Sequence, residues 1–112
     1  MKFALLIIGD EDLWENASEE ERKQTYAEHE EFMAALQAAG VETGGMELAH
    51  SRGARTVRGG EADATVTDGP FAETREQLAG FYTIDVPTIE DAVEWAKRLP
   101  SSVVEVRAAV GG

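Results

Sequence analysis

The sequence predicts an α+β fold: a ferredoxin-like, split β-α-β sheet with both helices on one face and a β-hairpin inserted midway. Three observations predict it. Two helical patterns each stand between strand patterns, a hairpin pattern separates the two β-α-β units, and the first strand is apolar on both sides. A chain of 112 residues is long enough for one core and too short for two, so residues 1–112 are expected to form a single domain.

Lys2 to Ile8, "KFALLII", is rich in apolar and branched residues with no polar alternation, as a strand covered on both faces would be. The opening superficially resembles a signal peptide. Gly9-Asp10-Glu11-Asp12 follows it where a small-residue cleavage site would stand, so a first strand is expected instead. Gly9-Asp10 ends that strand, and a polar loop should follow with Trp14 as its one large apolar residue.

Ser18-Glu19-Glu20-Glu21 has the S-x-x-E form of a capping box, in which the serine oxygen and the Glu21 carboxylate satisfy free backbone N–H groups. The helix it opens should run to about Ala39, with Gly40 just past its end. Tyr26, His29, Phe32, Met33 and Leu36 fall on one side at spacings of three and four, while Glu28, Glu30 and Glu31 are mostly turned away.

Val41 to Ala49 reads as a second strand, where Gly44-Gly45 implies a bulge or a close backbone approach. "ARTVR" and "ADATVT", separated by Gly59-Gly60-Glu61, read as a hairpin. Asp68-Gly69-Pro70-Phe71 then turns the chain into a strand from Gly80 to Val86, with Tyr82, Ile84 and Val86 on one side. Thr88 caps a second helix, with Asp91 at its third position and an apolar stripe of Ile89, Ala92, Val93, Ala96 and Leu99. Pro100 stops it, and Val103 to Val110 is the last strand.

In the first strand Phe3, Leu5 and Ile7 alternate with Ala4, Leu6 and Ile8. Two helices on one face would leave the other apolar face open, which predicts a homodimer with its sheets face to face. No apolar run approaches the ~20 residues of a membrane span. The net charge of −12 argues against nucleic acid and against an anionic membrane surface as partners. The acid concentrated between Asp10 and Glu31 reads as a solvated face. Cysteine is absent, which excludes disulfides, thiolate metal sites and a cysteine nucleophile, and fits the reducing cytoplasm.

His29, on the apolar stripe of the long helix, either satisfies a buried hydrogen bond or lines a pocket where it can do acid–base work. His50, in "LAHSRG", is expected in a solvent-exposed loop. Asp68 heads a turn in which Gly69 can take positive φ and Pro70 fixes the next φ. Its carboxylate either bonds nearby backbone N–H groups or stands at a cavity mouth, able to orient His29 or a substrate. Phe71 packs back as an anchor or forms a pocket wall. Glu73, Arg75 and Glu76 read as local surface ion pairs, with Arg75 the best-placed cation for an anionic ligand. No nucleophile elbow, phosphate-binding loop, dinucleotide fingerprint or H-E-x-x-H metal motif is present.

The block "VTDGPFAETREQLAGFYTIDV", followed by "TIEDAVEWAKRLP" and "SSVVEVRAAV", resembles the YCII-related, DGPF-domain family of small bacterial proteins. "MKFALLIIGDED", "EEFMAALQAAGV" and "ARTVR" extend the resemblance over nearly the whole chain. It implies a dimeric α+β barrel, frequent genetic linkage to extracytoplasmic-function sigma factors, and, for most members, no established activity. In the broader group a helical histidine paired with an aspartate is proposed as an active-site dyad, and one branch acts on chlorinated aromatic breakdown products. His29 in "YAEHEEFMAAL" matches that histidine. "GGMELAHSRGA" has no aspartate where the partner would stand, which leaves Asp68 as the substitute.

The expected function is therefore a cofactor-free, metal-free step of lyase, isomerase or dehalogenase type on a small organic acid. His29 and Asp68 would be its acid/base pair, and Arg75, Phe71 and Tyr82 its substrate contacts. The alternative is a non-catalytic metabolite-binding or regulatory dimer working with a sigma factor.

Overall fold

Lys2–Asp10 forms β1, the strand around which the sheet is assembled, because both of its edges are paired along most of its length. The computed structural model describes residues 1–101 and 103–111. After β1 come a short helix α1 (Glu11–Glu15), the long helix α2 (Glu19–Ala38) and β2 (Thr43–Glu47). A single 3-10 turn at Ser51–Gly53 leads into β3 (Arg55–Arg58) and β4 (Thr65–Asp68). β5 (Glu76–Asp85), α3 (Ile89–Ala96) and β6 (Val103–Ala108) complete the chain.

The main sheet has the order β2-β5-β1-β6 with every neighbouring pair antiparallel, while β3 and β4 form a separate two-stranded ribbon. The molecule is thus α+β, as the sequence predicts. Strand alternation assigns the two sheet faces. Phe3, Leu5 and Ile84 point to the helix side and are sealed against Phe32 and Leu36 of α2 and Ala92 of α3. Across the same sheet Leu6 stands opposite Phe81, and Ile8 opposite Leu78 and Val103, on the face that no helix covers.

The helix ends follow their local chemistry. Ser18 Oγ accepts the Glu21 N–H at 3.1 Å and the Glu21 carboxylate accepts the Ser18 N–H at 3.3 Å, closing the expected capping box. Gly40 follows α2 with φ +70°, a left-handed position that glycine fills without strain. Thr88 caps α3 by accepting the Asp91 N–H at 3.2 Å. α3 ends at Ala96, earlier than its apolar stripe, because Pro100 disfavours helical geometry at Leu99; residues 97–99 continue as a tightened turn.

Several segments depart from the sequence reading, and β2 and β6 are shorter than the expected Val41 to Ala49 and Val103 to Val110. The polar loop expected after β1 is instead α1, capped by Asp10, whose Oδ1 accepts from Asp12 N (3.0 Å) and Leu13 N (3.2 Å). β5 begins at Glu76 and not at Gly80, since Glu76 and Gln77 pair with Asp10 and Gly9 beyond a bulge at Ile7/Ile8. The hairpin loop spans 59–64 and not the three residues Gly59 to Glu61, with a turn closed by Asp63 N to Gly60 O at 3.1 Å.

Gly44-Gly45 marks a close approach, as expected. A Cβ at Gly45, where φ is +141°, would lie 2.2 Å from Phe81 O and 2.9 Å from Tyr82 Cα. Across the same pairing, a Cβ at Gly80 would lie 2.7 Å from Met46 O. The two glycines let β2 and β5 run nearly in backbone contact, and that contact sets where the residues of β2 stand relative to Tyr82. Gly45→Ala should therefore cost about 1–3 kcal/mol of unfolding free energy in urea titration. Gly9→Ala, where an added Cβ meets nothing within 4 Å, should cost no more than about 0.5 kcal/mol. Equal losses in the two variants would show that the close approach is not the constraint.

Candidate active site

The apolar stripe of α2 has two fates. Phe32 and Leu36, 3% and 0% exposed, are sealed in the core, whereas Tyr26, His29 and Met33 face an open cleft of about 920 Å³. The cleft lies between α2 on one side and β2 and β5 on the other, and α1 closes one end with Trp14. Its size is that of a small-molecule site.

His29 stands on the cleft floor against β5. Its Nδ1 is 2.8 Å from the Tyr82 hydroxyl, and the two rings stack with centroids 5.9 Å apart. Tyr82 in turn packs on Phe32 at 5.1 Å, so the core fixes the ring that fixes the histidine. Burial lowers the pKa of His29, with the carboxylates of Glu47 and Glu28 pulling weakly the other way. Burial raises the pKa of Tyr82, and Glu47 adds to it. At neutral pH both groups are uncharged and protonated once, and they share one hydrogen bond.

That bond links the two ring nitrogens to opposite roles. When Nδ1–H donates to the Tyr82 oxygen, Nε2 has a free lone pair and is a base; when Tyr82 donates to Nδ1, Nε2 carries the proton and can only donate a hydrogen bond. Among the described residues Nε2 has no hydrogen-bond partner.

Glu47, on β2, forms the facing wall. Its two carboxylate oxygens accept the Tyr26 hydroxyl at 3.1 and 2.9 Å, and Tyr26 meets Trp14 edge to face at 5.5 Å. The pKa of Tyr26 is raised by desolvation first and by this hydrogen bond second.

The second histidine belongs to the same cleft, contrary to the exposed loop position expected for it. His50 Nε2 donates to Asp12 Oδ1 at 3.0 Å, and Nδ1 accepts the Arg52 N–H at 3.0 Å, so both nitrogens are occupied. Beside it Glu11 accepts from Ser51 N at 3.0 Å and from Ser51 Oγ at 2.5 Å. Arg52 grips Glu15 with bonds of 2.6 and 2.8 Å, which hold the Glu15 carboxyl below its ordinary pKa. Arg22 donates to the carbonyls of Trp14 and Glu15. These contacts tie α1 to the loop after β2 and to α2, and so hold Trp14 over the cleft. His50 is a clasp and has no nitrogen left for catalysis.

The structure brings His29 and Tyr82 together and does not bring the other expected residues to them. Asp68 ends β4 and pairs across the ribbon with Arg55, Oδ1 to Nε 3.0 Å, in place of the backbone N–H groups expected for it. Phe71 is 77% exposed beneath the Arg58 guanidinium, which lies 5.1 Å from its ring centroid, and is not among the residues that line the cleft. Arg75 lies 3.9 Å from Asp10 and not on its acidic neighbours, outside the cleft lining. The turn itself behaves as its sequence requires: Gly69 takes φ +99°, its N–H donates to Ala54 O at 2.8 Å, and its carbonyl accepts from Thr56 Oγ1 at 2.8 Å. Sequence reasoning missed Glu47 and the His50 clasp. Glu47 carries no motif, and Asp12, the carboxylate that His50 grips, lies 38 residues away, so no local spacing marks either. Among the described residues no group of three or more histidines and carboxylates is arranged for a metal ion.

The depressed pKa of His29 has a definite sign. Its folded value lies below the reference of 6.5, so the unfolded chain binds the extra proton as pH falls through that range. The stability contributed by neutral His29 is complete above about 6.5 and is lost as pH falls through the folded value. Between pH 7 and pH 5, wild type should lose more melting temperature than His29→Gln does. Parallel profiles for the two proteins would contradict a half-buried, neutral histidine.

Comparison with known proteins adds a relationship to this geometry. A sequence profile of the YCII-related domain matches residues 1–109. An uncharacterised protein of Rhizobium meliloti (strain 1021) is 34% identical over 106 residues, covering 91% of this chain and 82% of that protein. The match spans β1 through β6 and so includes every wall of the cleft. The chain belongs to the YCII-related family.

Proposed function

We propose that the cleft is the active site of a cofactor-free acid–base enzyme acting on a small organic molecule. The observation that carries this reading is the 2.8 Å contact between His29 Nδ1 and Tyr82, on the floor of a 920 Å³ cleft, with Nε2 turned to no protein partner among the described residues. A neutral imidazole of lowered pKa is competent as a base at physiological pH, and a Tyr82 hydroxyl that accepts from Nδ1–H leaves the Nε2 lone pair free to take a proton. Elimination, isomerisation or dehalogenation beginning with removal of a carbon-bound proton fits two such groups. Tyr82 takes the positioning role that the sequence reading gave to Asp68.

We further propose that two chains pair through the open faces of ferredoxin-like sheets, forming a dimeric α+β barrel. The strand order β2-β5-β1-β6 has the ferredoxin-like pattern once the ribbon is set aside, which supports this reading. So does the apolar composition of the uncovered face, where Met46 is 60% and Val103 42% exposed beside Leu6, Ile8, Leu78 and Phe81. Light scattering should give twice the chain mass for wild type at micromolar concentration and the single-chain mass for Leu6→Glu. A monomeric wild type removes the dimer without touching the cleft.

Proton abstraction can be tested before any product is known. Incubated in D2O with a library of small carbonyl and carboxyl compounds, the protein should exchange a carbon-bound proton of its substrate, read by proton NMR. His29→Ala should slow this at least about 100-fold, the lower bound for loss of a general base, and Tyr82→Phe by a smaller factor. A compound that binds in a His29-dependent way while none exchanges would replace the enzyme by a metabolite-binding protein.

A further inference from the structure

The charge around the cleft identifies the kind of ligand it takes. Five carboxylates line it, those of Asp10, Glu11, Glu15, Glu30 and Glu47, against one guanidinium, that of Arg22. Arg22 is directed at backbone carbonyls, with Nε 3.3 Å from Trp14 O and its terminal nitrogen on Glu15 O. Three of the five acids have structural partners: Asp10 caps α1, Glu11 holds Ser51, and Glu15 is neutralised by Arg52. Among the described residues Glu30 and Glu47 have no cationic partner. Glu47 has only the uncharged Tyr26 hydroxyl, and it is Glu47, not Glu30, whose charge bears on both His29 and Tyr82.

We infer that the ligand of this cleft carries an ammonium group seated on Glu47, with an apolar or aromatic body lying against Trp14, Tyr26 and Tyr82. The inference rests on the cleft being the ligand site. An organic acid would enter against the field of the lining and of a chain of net charge −12, with no unengaged cation to receive it among the described lining residues. Arg75, which the sequence reading assigned to an anionic ligand, is 85% exposed and turned to Asp10. An ammonium, by contrast, can donate to Glu47 and lie near electron-rich aromatic faces, two attractions that act on the same atom. His29, held neutral by burial, adds no positive charge beside Glu47.

Three isosteric probes separate charge from shape: phenethylamine, phenethyl alcohol and phenylacetate, titrated at low ionic strength while the aromatic and imidazole signals of Tyr82 and His29 are followed by NMR. The amine should bind about tenfold or more tighter than the alcohol, and the carboxylate weakest. Glu47→Gln should bring the amine down to the affinity of the alcohol and leave the alcohol unchanged. In wild type, added salt should weaken the amine alone, an independent check should the variant fold poorly. Phenylacetate binding as well as the amine, or an amine preference that survives both Glu47→Gln and salt, overturns the cationic ligand while the cleft stands. If none of the three shifts these signals at millimolar concentration, the cationic ligand and the cleft as its site fall together.

Discussion

The candidate site depends on how α2 is seated. Phe32 and Leu36 are sealed against Phe3, Leu5 and Ile84, and their burial fixes both the height and the rotation of the helix over the sheet. His29 is three residues before Phe32 on the same side of the helix, so packing that seats Phe32 also delivers the imidazole to Tyr82. Phe32 touches Tyr82 directly, at 5.1 Å between centroids, and this contact couples core and site in one stack of rings. Deleting side-chain volume at Leu36 would cost about 2–5 kcal/mol and loosen the helix that carries the histidine. The site begins where the core ends.

Most of the architecture was legible from pattern because it rests on local chemistry. The capping box at Ser18, the left-handed Gly40, the Thr88 cap and the two-faced apolar β1 each determine structure within a few residues of themselves. α1 was not legible, because a five-residue helix has no periodicity to detect; its only signals are Asp10 as a cap and two acids in its first turn. The beginning of β5 was hidden for a different reason. Glu76 and Gln77 look like surface loop residues, and only pairing with Asp10 and Gly9 of β1 makes them strand.

The candidate site divides along the same line. His29 and Tyr82 could be named from sequence, each from its place in an apolar pattern, but not their contact, which joins residues 53 apart. The partner expected for His29 was an aspartate, because the family resemblance implies a histidine–aspartate dyad and left Asp68 as its substitute. A tyrosine hydroxyl serves the same geometric purpose here without adding charge to a buried position. A carboxylate at that place would raise the pKa of His29 and favour imidazolium, which is a poor base. Desolvation keeps the imidazole neutral against the pull of Glu47 and Glu28, and a tyrosine partner does not oppose it as a carboxylate would.

The DGPF turn makes the complementary point. Its residues are the most recognisable in the sequence, yet their contacts are with each other and with the ribbon: Asp68 with Arg55, Gly69 with Ala54 and Thr56, Phe71 with Arg58. Past the turn, Thr74 Oγ1 donates to Glu76 O at 2.6 Å and Gln77 Nε2 to Ala72 O at 2.8 Å, so the polar run that follows folds on itself. This segment sets where the ribbon stops and where β5 starts. β5 then sets where Tyr82 falls against α2. The motif thus acts on the cleft through register, since a shift of one residue in β5 would turn Tyr82 to the opposite face and leave His29 without its partner. A sequence block can mark a family strongly and still contribute to its chemistry only by counting residues.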